Sequence, residues 1–495
     1  MDHPATLPTK PGSFLDRRQF LTAATGVTAG VTANRLLAAN AAAAVPRSKS
    51  PARPPNILYI FTDQQFAGAM SCIGNPHVKT PAIDSLAERG MLFTETYCAS
   101  PVCSPSRGSM LTGLCPHQHG VRVNNTRIRS DLKDICIEHL LGARGYECVY
   151  AGKWHLAASR TIAKAERKQH PYRVISELSD VNVSGACARF FGEKRDRPFF
   201  LIASYLNPHD ICLWARGQRR GLQKQPVPRV SLDRCPRLPG NFRVPHDEPE
   251  VLRQFYMTRH SEQKSFSDET WRHYLHAYYW MIEVVDAEIG KLLDALRANG
   301  LEENTLIFFS SDHGDGMAAH QWLGKCCHYE EAMRVPFIVS YKDMIKPGRV
   351  DRAHLVTNGP DFYATALDYA GAEVPNGCQG MSLRRLLEAT GDTHAWRDQV
   401  VSEIWVPGNS PRRGQPWKSA WGRMLRTPRF KYAVYDRGKN REQLHDMQND
   451  RGEMHNLAAE PASAGVLAEH RRRLAAWCSQ TKDTTFAPHL LTAGT

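Results

Sequence analysis

Apolar residues along this chain fall into short continuous runs that end abruptly in chemically capable side chains. Ile57-Leu58-Tyr59-Ile60-Phe61 runs into Thr62-Asp63-Gln64-Gln65. Cys148-Val149-Tyr150-Ala151 runs into Gly152-Lys153-Trp154-His155. Residues 199–205 run into Asn207-Pro208-His209-Asp210, and Leu306-Ile307-Phe308-Phe309 into Ser310-Ser311-Asp312-His313-Gly314-Asp315. Runs without alternation suit strands buried on both faces. In a mostly parallel sheet, ligands gather just beyond the carboxyl ends of the strands. The pattern therefore predicts one shared site fed by several strand ends. Between the strands lie helical patterns, the clearest over 268–299. There Tyr274, Tyr278, Met281, Val285, Ile289, Leu292 and Leu296 recur at three- and four-residue steps before Gly300. That stripe predicts a core-facing helix. Strand–helix alternation over 55–375 predicts an α/β fold.

Two stretches break this rhythm. Residues 214–265 are rich in Arg, Pro and Gln and predict a long insertion over the strand ends. Trp214, Arg216, Arg219 and Arg220 are its substrate-contacting candidates. After about residue 395 come short strand-like pieces at 424–427, 430–435 and 443–446, then a helix over 462–481. These predict a small antiparallel sheet with a helix, from which Trp405 and Trp421 are further substrate-contacting candidates. The expected domains are a leader over 1–45, a catalytic domain over 46–394 and a C-terminal subdomain over 395–495.

The leader carries Asp16-Arg17-Arg18-Gln19-Phe20-Leu21, then a mildly apolar stretch ending in the run Ala41 to Ala44. This pattern is that of a bacterial twin-arginine export signal. Asn34 and Arg35 interrupt the apolar stretch, which argues against a spanning helix. The expected location is therefore periplasmic or secreted, with the twin-arginine translocase as a partner and no stable membrane span. The net charge is +13, with the basic residues scattered. This charge suits anionic substrates. No nucleic-acid-binding motif accompanies it, so nucleic acid is not an expected partner. The 13 cysteines include no C-x-x-C pair, which argues against a zinc ribbon or a disulfide scaffold.

One cysteine stands apart. In Cys103-Ser104-Pro105-Ser106-Arg107-Gly108, Pro105 suits the first turn of a helix. That places Cys103 at a helix N-terminus, where backbone N–H groups favour an anion. Arg107 lies about one turn further on. The sixth residue after Cys103 is Ser109, so the arginine clamp of a cysteine phosphatase is missing.

Cys103-x-Pro105-x-Arg107, with Thr112-Gly113 behind it, resembles the sulfatase signature. The opening Asn56…Asp63-Gln64, Gly152-Lys153-Trp154-His155, Asn207-Pro208-His209 and Ser311-Asp312-His313-Gly314-Asp315 are similar to further blocks of that family, in the same order. So are Gly324-Lys325…Tyr329-Glu330…Arg334-Val335-Pro336 and the closing Asp446…Asp450…Glu453…Asn456-Leu457. The resemblance implies an alkaline-phosphatase-like fold: a mixed, mostly parallel central sheet flanked by helices, with a smaller C-terminal antiparallel sheet and helix. It implies that Cys103 is oxidised to formylglycine by a formylglycine-generating enzyme, and that the hydrate attacks sulfur. Asp63, Gln64, Asp312 and His313 would then hold one divalent metal together with modified Cys103. Many sulfatases carry an acid where this chain has Gln64 and an asparagine where it has His313. The donors favour Ca²⁺, with Mg²⁺ and Mn²⁺ as alternatives.

By the same resemblance Lys153 and Lys325 bind the sulfate oxygens, and Arg107 holds the modified side chain. The resemblance also implies that His209 and His155 stand at the site; His209 is the substrate-contacting candidate to protonate the leaving group, and His155 the candidate to take a proton in the second half-reaction. The implied substrate is a sulfated small molecule or carbohydrate, as in glycan degradation. A phosphonate monoester or phosphodiester hydrolase with the same site is the alternative within enzymes. A non-catalytic binder of sulfated glycans is the alternative outside them.

Overall fold

In the structure, a computed structural model, the run at 57–61 is the centre of a strand, Asn56–Asp63, buried along its whole length. The structure describes residues 54–157, 161–177, 179–218, 226–259, 266–390, 396–408 and 418–491. The export-type leader, the expected domain boundaries and the lid candidates Arg219 and Arg220 lie outside these residues.

In chain order the strands are β1 (Asn56–Asp63), β2 (Met91–Phe93), β3 (Thr96–Tyr97), β4 (Glu147–Gly152), β5 (Arg173–Ser176), β6 (Phe199–Pro208) and β7 (Thr305–Ser311). They continue as β8 (Phe337–Ser340), β9 (Arg349–Asp351), β10 (Val356–Thr357), β11 (Val400–Val406), β12 (Ala420–Arg426), β13 (Phe430–Tyr435) and β14 (Glu442–Asp446). Eight of them form one sheet in the order β5-β4-β6-β1-β7-β8-β2-β9. The pairs from β5 to β7 are all parallel. Strand β8 runs antiparallel to both β7 and β2, and β2 pairs parallel with β9. The sheet is thus mixed and mostly parallel, as expected.

Strand β1 shows why its sequence does not alternate. Leu58 and Ile60 face one apolar cluster with Val285, Ile289 and Leu292 of the long helix Asp268–Ala298. Ile57, Tyr59 and Phe61 face the other, with Phe362 and Leu367 of the helix Pro360–Tyr369. Helices on both faces leave no solvated side. Each such side chain contributes about 1.5–3 kcal/mol on burial. The long helix begins where Ser267 accepts a hydrogen bond from the Thr270 N–H at 3.2 Å. Its buried face is the predicted stripe.

The antiparallel sheet β11-β12-β13-β14 carries the C-terminal helix Ala464–Thr481. Leu467, Leu474 and Trp477 of that helix pack with Leu425, Tyr432 and Leu444. Strand β11 had no distinct signal, because Val400-Val401-Ser402-Glu403-Ile404-Trp405-Val406 mixes core and charge-pairing positions. The insertion is not all loop. It contains a helix, Glu250–Arg259, whose Val251, Leu252 and Phe255 pack with Trp322, Ile404 and Tyr435. Three apolar positions at helical spacing are a short signal inside an Arg- and Pro-rich stretch.

Candidate active site

The carboxyl ends of four parallel strands converge as predicted. Strand β1 ends in Asp63, β4 leads into Lys153, β6 leads into His209, and β7 leads into Asp312 and His313. Opposite them, the buried helix Cys103–Thr112 begins at Cys103, with Val102 extended before it. Pro105 sits in its first turn, where its missing N–H costs nothing.

Four donor atoms, one each from Asp63, Cys103, Asp312 and His313, lie within 4.8 Å of one another, all on buried residues. Cys103 Sγ is 3.7 Å from Asp63 Oδ1 and 3.1 Å from His313 Nε2. His313 Nε2 is 3.6 Å from Asp312 Oδ1 and 4.0 Å from Asp63 Oδ1. Ligands of one ion held at about 2.0–2.3 Å stand this far apart. Each carboxylate also divides its work. Asp63 Oδ2 accepts from Lys153 Nζ at 2.5 Å and Arg107 Nη2 at 2.8 Å, leaving Oδ1 towards the centre. Asp312 Oδ2 accepts from Arg107 Nε at 2.9 Å, while Oδ1 faces His313. His313 Nδ1 bonds the Gly314 carbonyl at 2.8 Å, which as donor leaves Nε2 with a lone pair for the centre. Two carboxylates and an imidazole with free lone pairs fit a divalent cation.

Gln64 stands beside this quartet. Its backbone, at φ 75°, donates its N–H to Asp312 Oδ1 at 3.1 Å. Its side-chain amide donates to Asp315 Oδ2 at 2.8 Å and lies 3.3 Å from Cys212 Sγ. Asp315 in turn accepts from Tyr274 Oη at 2.7 and 2.8 Å, and Tyr278 Oη donates to the Gln64 carbonyl at 2.7 Å. From the sequence Tyr274 and Tyr278 read as core positions, and Asp315 only as the last residue of the Ser311-to-Asp315 block. A four-residue spacing of tyrosines on the stripe was the available signal.

Arg107 is spent on the framework. Besides the two carboxylates it donates to the Lys153 carbonyl at 2.6 Å and Ser204 Oγ at 3.0 Å, with its guanidinium 4.9 Å from the Phe61 ring centroid. Ser204 gave no sequence signal. Lys325 is the residue that meets the nucleophile, with Nζ 2.8 Å from Cys103 Sγ and 3.2 Å from His313 Nε2. His209 Nε2 lies 4.0 Å from Asp63 Oδ1 and keeps 20% side-chain exposure. His155, at φ 59°, is close enough for a side-chain hydrogen bond with Cys103. Its carbonyl accepts from Ser104 Oγ, and its buried Nδ1 has no protein partner.

The charges reinforce one another. Burial pushes Asp63 up, but Lys153, His209, Lys325 and Arg107 together hold it well below the usual carboxylate range. Burial and the Asp63 charge hold Asp312 up at about 6. Burial and Asp63 also push the Cys103 thiol up, yet Lys325, Lys153 and His313 outweigh them and bring it well below its ordinary value. Burial, then Lys153 and Lys325, depress His209, although its partial exposure tempers the shift. Every predicted site residue therefore lies in or against one cluster. The aromatic candidates divide otherwise: Trp214 packs against Tyr274 at 6.1 Å, and Trp405 pairs across strands with Trp421 at 6.3 Å.

Similarity to known proteins agrees with this geometry. The family model described as Sulfatase matches residues 55–372, and that of N-sulphoglucosamine sulphohydrolase, C-terminal, matches 318–480. The chain is 32% identical over 458 residues to the Delta 4,5-hexuronate-2-O-sulfatase of Bacteroides thetaiotaomicron, covering 87% of this chain and 90% of that protein. It is 30% identical over 368 residues to arylsulfatase A of Homo sapiens, covering 69% of each. A solved 2-O GAG sulfatase superposes with a TM-score of 0.76 at 28% identity, over 89% of this chain and 95% of that one. The phosphonate monoester hydrolase of Agrobacterium radiobacter shares the fold, with a TM-score of 0.71 at 21% identity over 86% and 96% of the two chains. By these matches and its alkaline-phosphatase-like fold, the chain belongs to the sulfatase family.

Proposed function

We propose that this chain removes sulfate from a sugar, through formylglycine formed at Cys103 and one divalent metal at the quartet. The observation that carries the reading is the meeting of Cys103 Sγ with Lys325 Nζ at 2.8 Å and His313 Nε2 at 3.1 Å, on the open side of two carboxylates. Sulfate ester hydrolysis is the activity of the family. The sugar is supported by the hexuronate 2-O-sulfatase relative, which makes an unsaturated uronate 2-O-sulfate the first substrate to try. The leader sequence supports export.

Asp63, Gln64, Asp312 and His313 would hold the metal with the oxidised Cys103 side chain. When bound, the metal supplies positive charge to the sulfate and nucleophile oxygens. Formylglycine supplies a hydrated aldehyde as nucleophile. Lys325 and Lys153 hold their ammonium groups where charge builds on the sulfate oxygens. Arg107 keeps both carboxylates fixed. Burial and the neighbouring lysines Lys153 and Lys325 favour the neutral form of His209 in the substrate-free protein. An arriving sulfate favours its protonated form, which then donates to the leaving oxygen. His155 takes a proton beside Cys103 as sulfate departs.

Mass spectrometry of the Cys103 peptide from enzyme matured in its bacterial host should show the aldehyde. An unmodified thiol there would support a glycan-binding role instead. Pure enzyme should cleave an aryl sulfate at a higher kcat/KM than an aryl phosphodiester; the reverse order would make it a phosphodiester hydrolase. His209→Ala should slow a sugar sulfate far more than an aryl sulfate with an activated leaving group. Equal losses on both would remove His209 from the acid role. Chelation should lower turnover by about 100-fold or more, since a metal of this kind supplies several kcal/mol. Restoring the rate with Ca²⁺, Mg²⁺ or Mn²⁺ singly identifies the ion.

A further inference from the structure

A second cluster of donor atoms lies outside the catalytic quartet and shares no residue with it. It is formed by His320, Glu331 and Glu453, each offering one ligand atom, all within 4.8 Å of one another. His320 sits at the tip of the loop between β7 and Lys325. That loop is closed by Gly316 N–H to the Gly324 carbonyl at 2.6 Å and Ala318 N–H to the Trp322 carbonyl at 3.2 Å. Met317, Ala318, His320 and Gln321 all adopt positive φ between 51° and 63°. Such a run of left-handed residues is costly and persists only where the surroundings hold it.

The His320 side chain is 2% exposed, yet neither ring nitrogen has a hydrogen-bond partner. Its ring stacks on Tyr329 at 3.8 Å between centroids, which fixes its plane. Glu331 is similarly incomplete. Its Oε1 accepts from Asn241 Nδ2 at 3.0 Å, while its buried Oε2 has no partner. Glu453 is tied in place, with Oε2 accepting the Glu330 N–H at 2.7 Å and Oε1 2.6 Å from Lys431 Nζ. Lys431 is shared with Glu330, 3.1 Å away. Lys431 thus serves two buried carboxylates, Glu330 also pairing with Arg334 at 3.3 Å, while half-buried Glu331 has no cation within ion-pair distance among the described residues. A buried imidazole and carboxylate oxygen left unpaired each cost about 1–3 kcal/mol.

We infer that His320, Glu331 and Glu453 bind a second, structural divalent cation of the zinc class. Zn²⁺ accepts imidazole nitrogen and carboxylate oxygen together in a four-coordinate site, whereas Ca²⁺ takes six to eight oxygens. The ion would take one His320 ring nitrogen and the unpartnered Glu331 oxygen, and would balance the Glu331 charge. It would also clamp the loop that ends in Lys325 to Glu453, beyond β14. Asn241, whose carbonyl accepts the His320 N–H at 2.7 Å, joins the insertion to the same point.

The test uses the full chain, with Zn²⁺ as the probe. Diffraction from wild-type crystals grown with zinc chloride, recorded above and below the zinc edge, should give an anomalous peak among these three side chains. Absence of a peak there overturns the inference, whatever happens at the catalytic quartet. In solution, His320→Ala should bind one Zn²⁺ equivalent fewer per chain than wild type by atomic emission. It should also lose the part of the zinc-induced rise in Tm that chelation reverses. An unchanged stoichiometry and shift would overturn the inference too. If His320→Ala does not fold, Glu331→Gln serves the same comparison, and the wild-type diffraction decides without any variant.

Discussion

At the scale of single residues, the chemistry rests on side chains that are held rather than merely present. Gln64 is the sharpest case. Its amide has two ends that a metal would distinguish, and Asp315 chooses between them by accepting from Nε2 at 2.8 Å. Tyr274 keeps Asp315 in place through two contacts from its hydroxyl. Asp315→Asn introduces a second amide whose NH₂ can face that of Gln64, and Tyr274→Phe removes the hydroxyl support. Each should weaken metal binding by about 10–100-fold, as loss of an orienting partner does. A metal titration of the purified variants checks this, with circular dichroism confirming an intact fold. Affinity unchanged in both variants would place Gln64 outside the metal site. Cys103→Ala should fold and bind metal more weakly but show no turnover. The signature segment made Cys103 and Arg107 legible, and the Gly324-Lys325 block made Lys325 so, both through resemblance to the family. Ser204, Tyr274 and Asp315 were not legible, because a serine in an apolar run and a tyrosine on an apolar stripe look like core.

At the scale of elements, the strand ends set the geometry, and one backbone contact shows how tightly. Gly152 closes β4 at φ 98°, and a Cβ built on it would stand 1.9 Å from the Ser204 carbonyl oxygen of β6. Without that close approach, Lys153 could not donate its N–H to the same carbonyl at 3.0 Å. Gly152→Ala combines a backbone clash with a disfavoured φ. It should cost about 3 kcal/mol or more and lower Tm by several degrees. Residual activity should fall with it, because Lys153 moves with the strand end. A Tm within one degree of wild type would show that β4 and β6 can separate without harm. The four apolar runs foretold β1, β4, β6 and β7, since burial on both faces leaves an unbroken apolar pattern. Strands β2, β8 and β9 were not foretold. They span three or four residues each, too short for a period to register.

At the scale of the whole molecule, the antiparallel sheet is tied to the segment that follows the Cys103–Thr112 helix by buried charge as well as by apolar packing. His117, in the short helix Pro116–His119, bonds Glu403 of β11 through Nδ1 at 2.6 Å, and Arg423 of β12 approaches the same carboxylate at 3.2 Å. Burial would lower His117, but Glu403 outweighs it and holds the imidazole above its ordinary value. Its contribution is therefore complete below pH 6.5 and is lost as pH rises through the folded value. Burial would raise Glu403, but Arg423 and His117 hold it down at about 2. Its contribution is complete above pH 4.5 and is lost as pH falls towards 2. The pair should stabilise most between pH 4.5 and 6.5. His117→Ala should cost about 3 kcal/mol in that window and less above it, measured by denaturant unfolding across pH. A penalty that stays constant into alkaline pH would mean that packing, not the ion pair, holds this helix to the sheet. The sequence by itself determined the α/β class, the strand ends that carry chemistry and the nucleophile helix. All of these are local signals: apolar runs, helical spacing and a proline in a first turn. Only the tertiary structure decided which oxygen of each carboxylate faces the centre of the quartet, that Arg107 serves the carboxylates, and that Asp315 holds the Gln64 amide. Those choices depend on atoms brought together from segments as much as 251 residues apart, such as Gln64 and Asp315. Pattern along a chain carries no record of which end of a side chain turns inward.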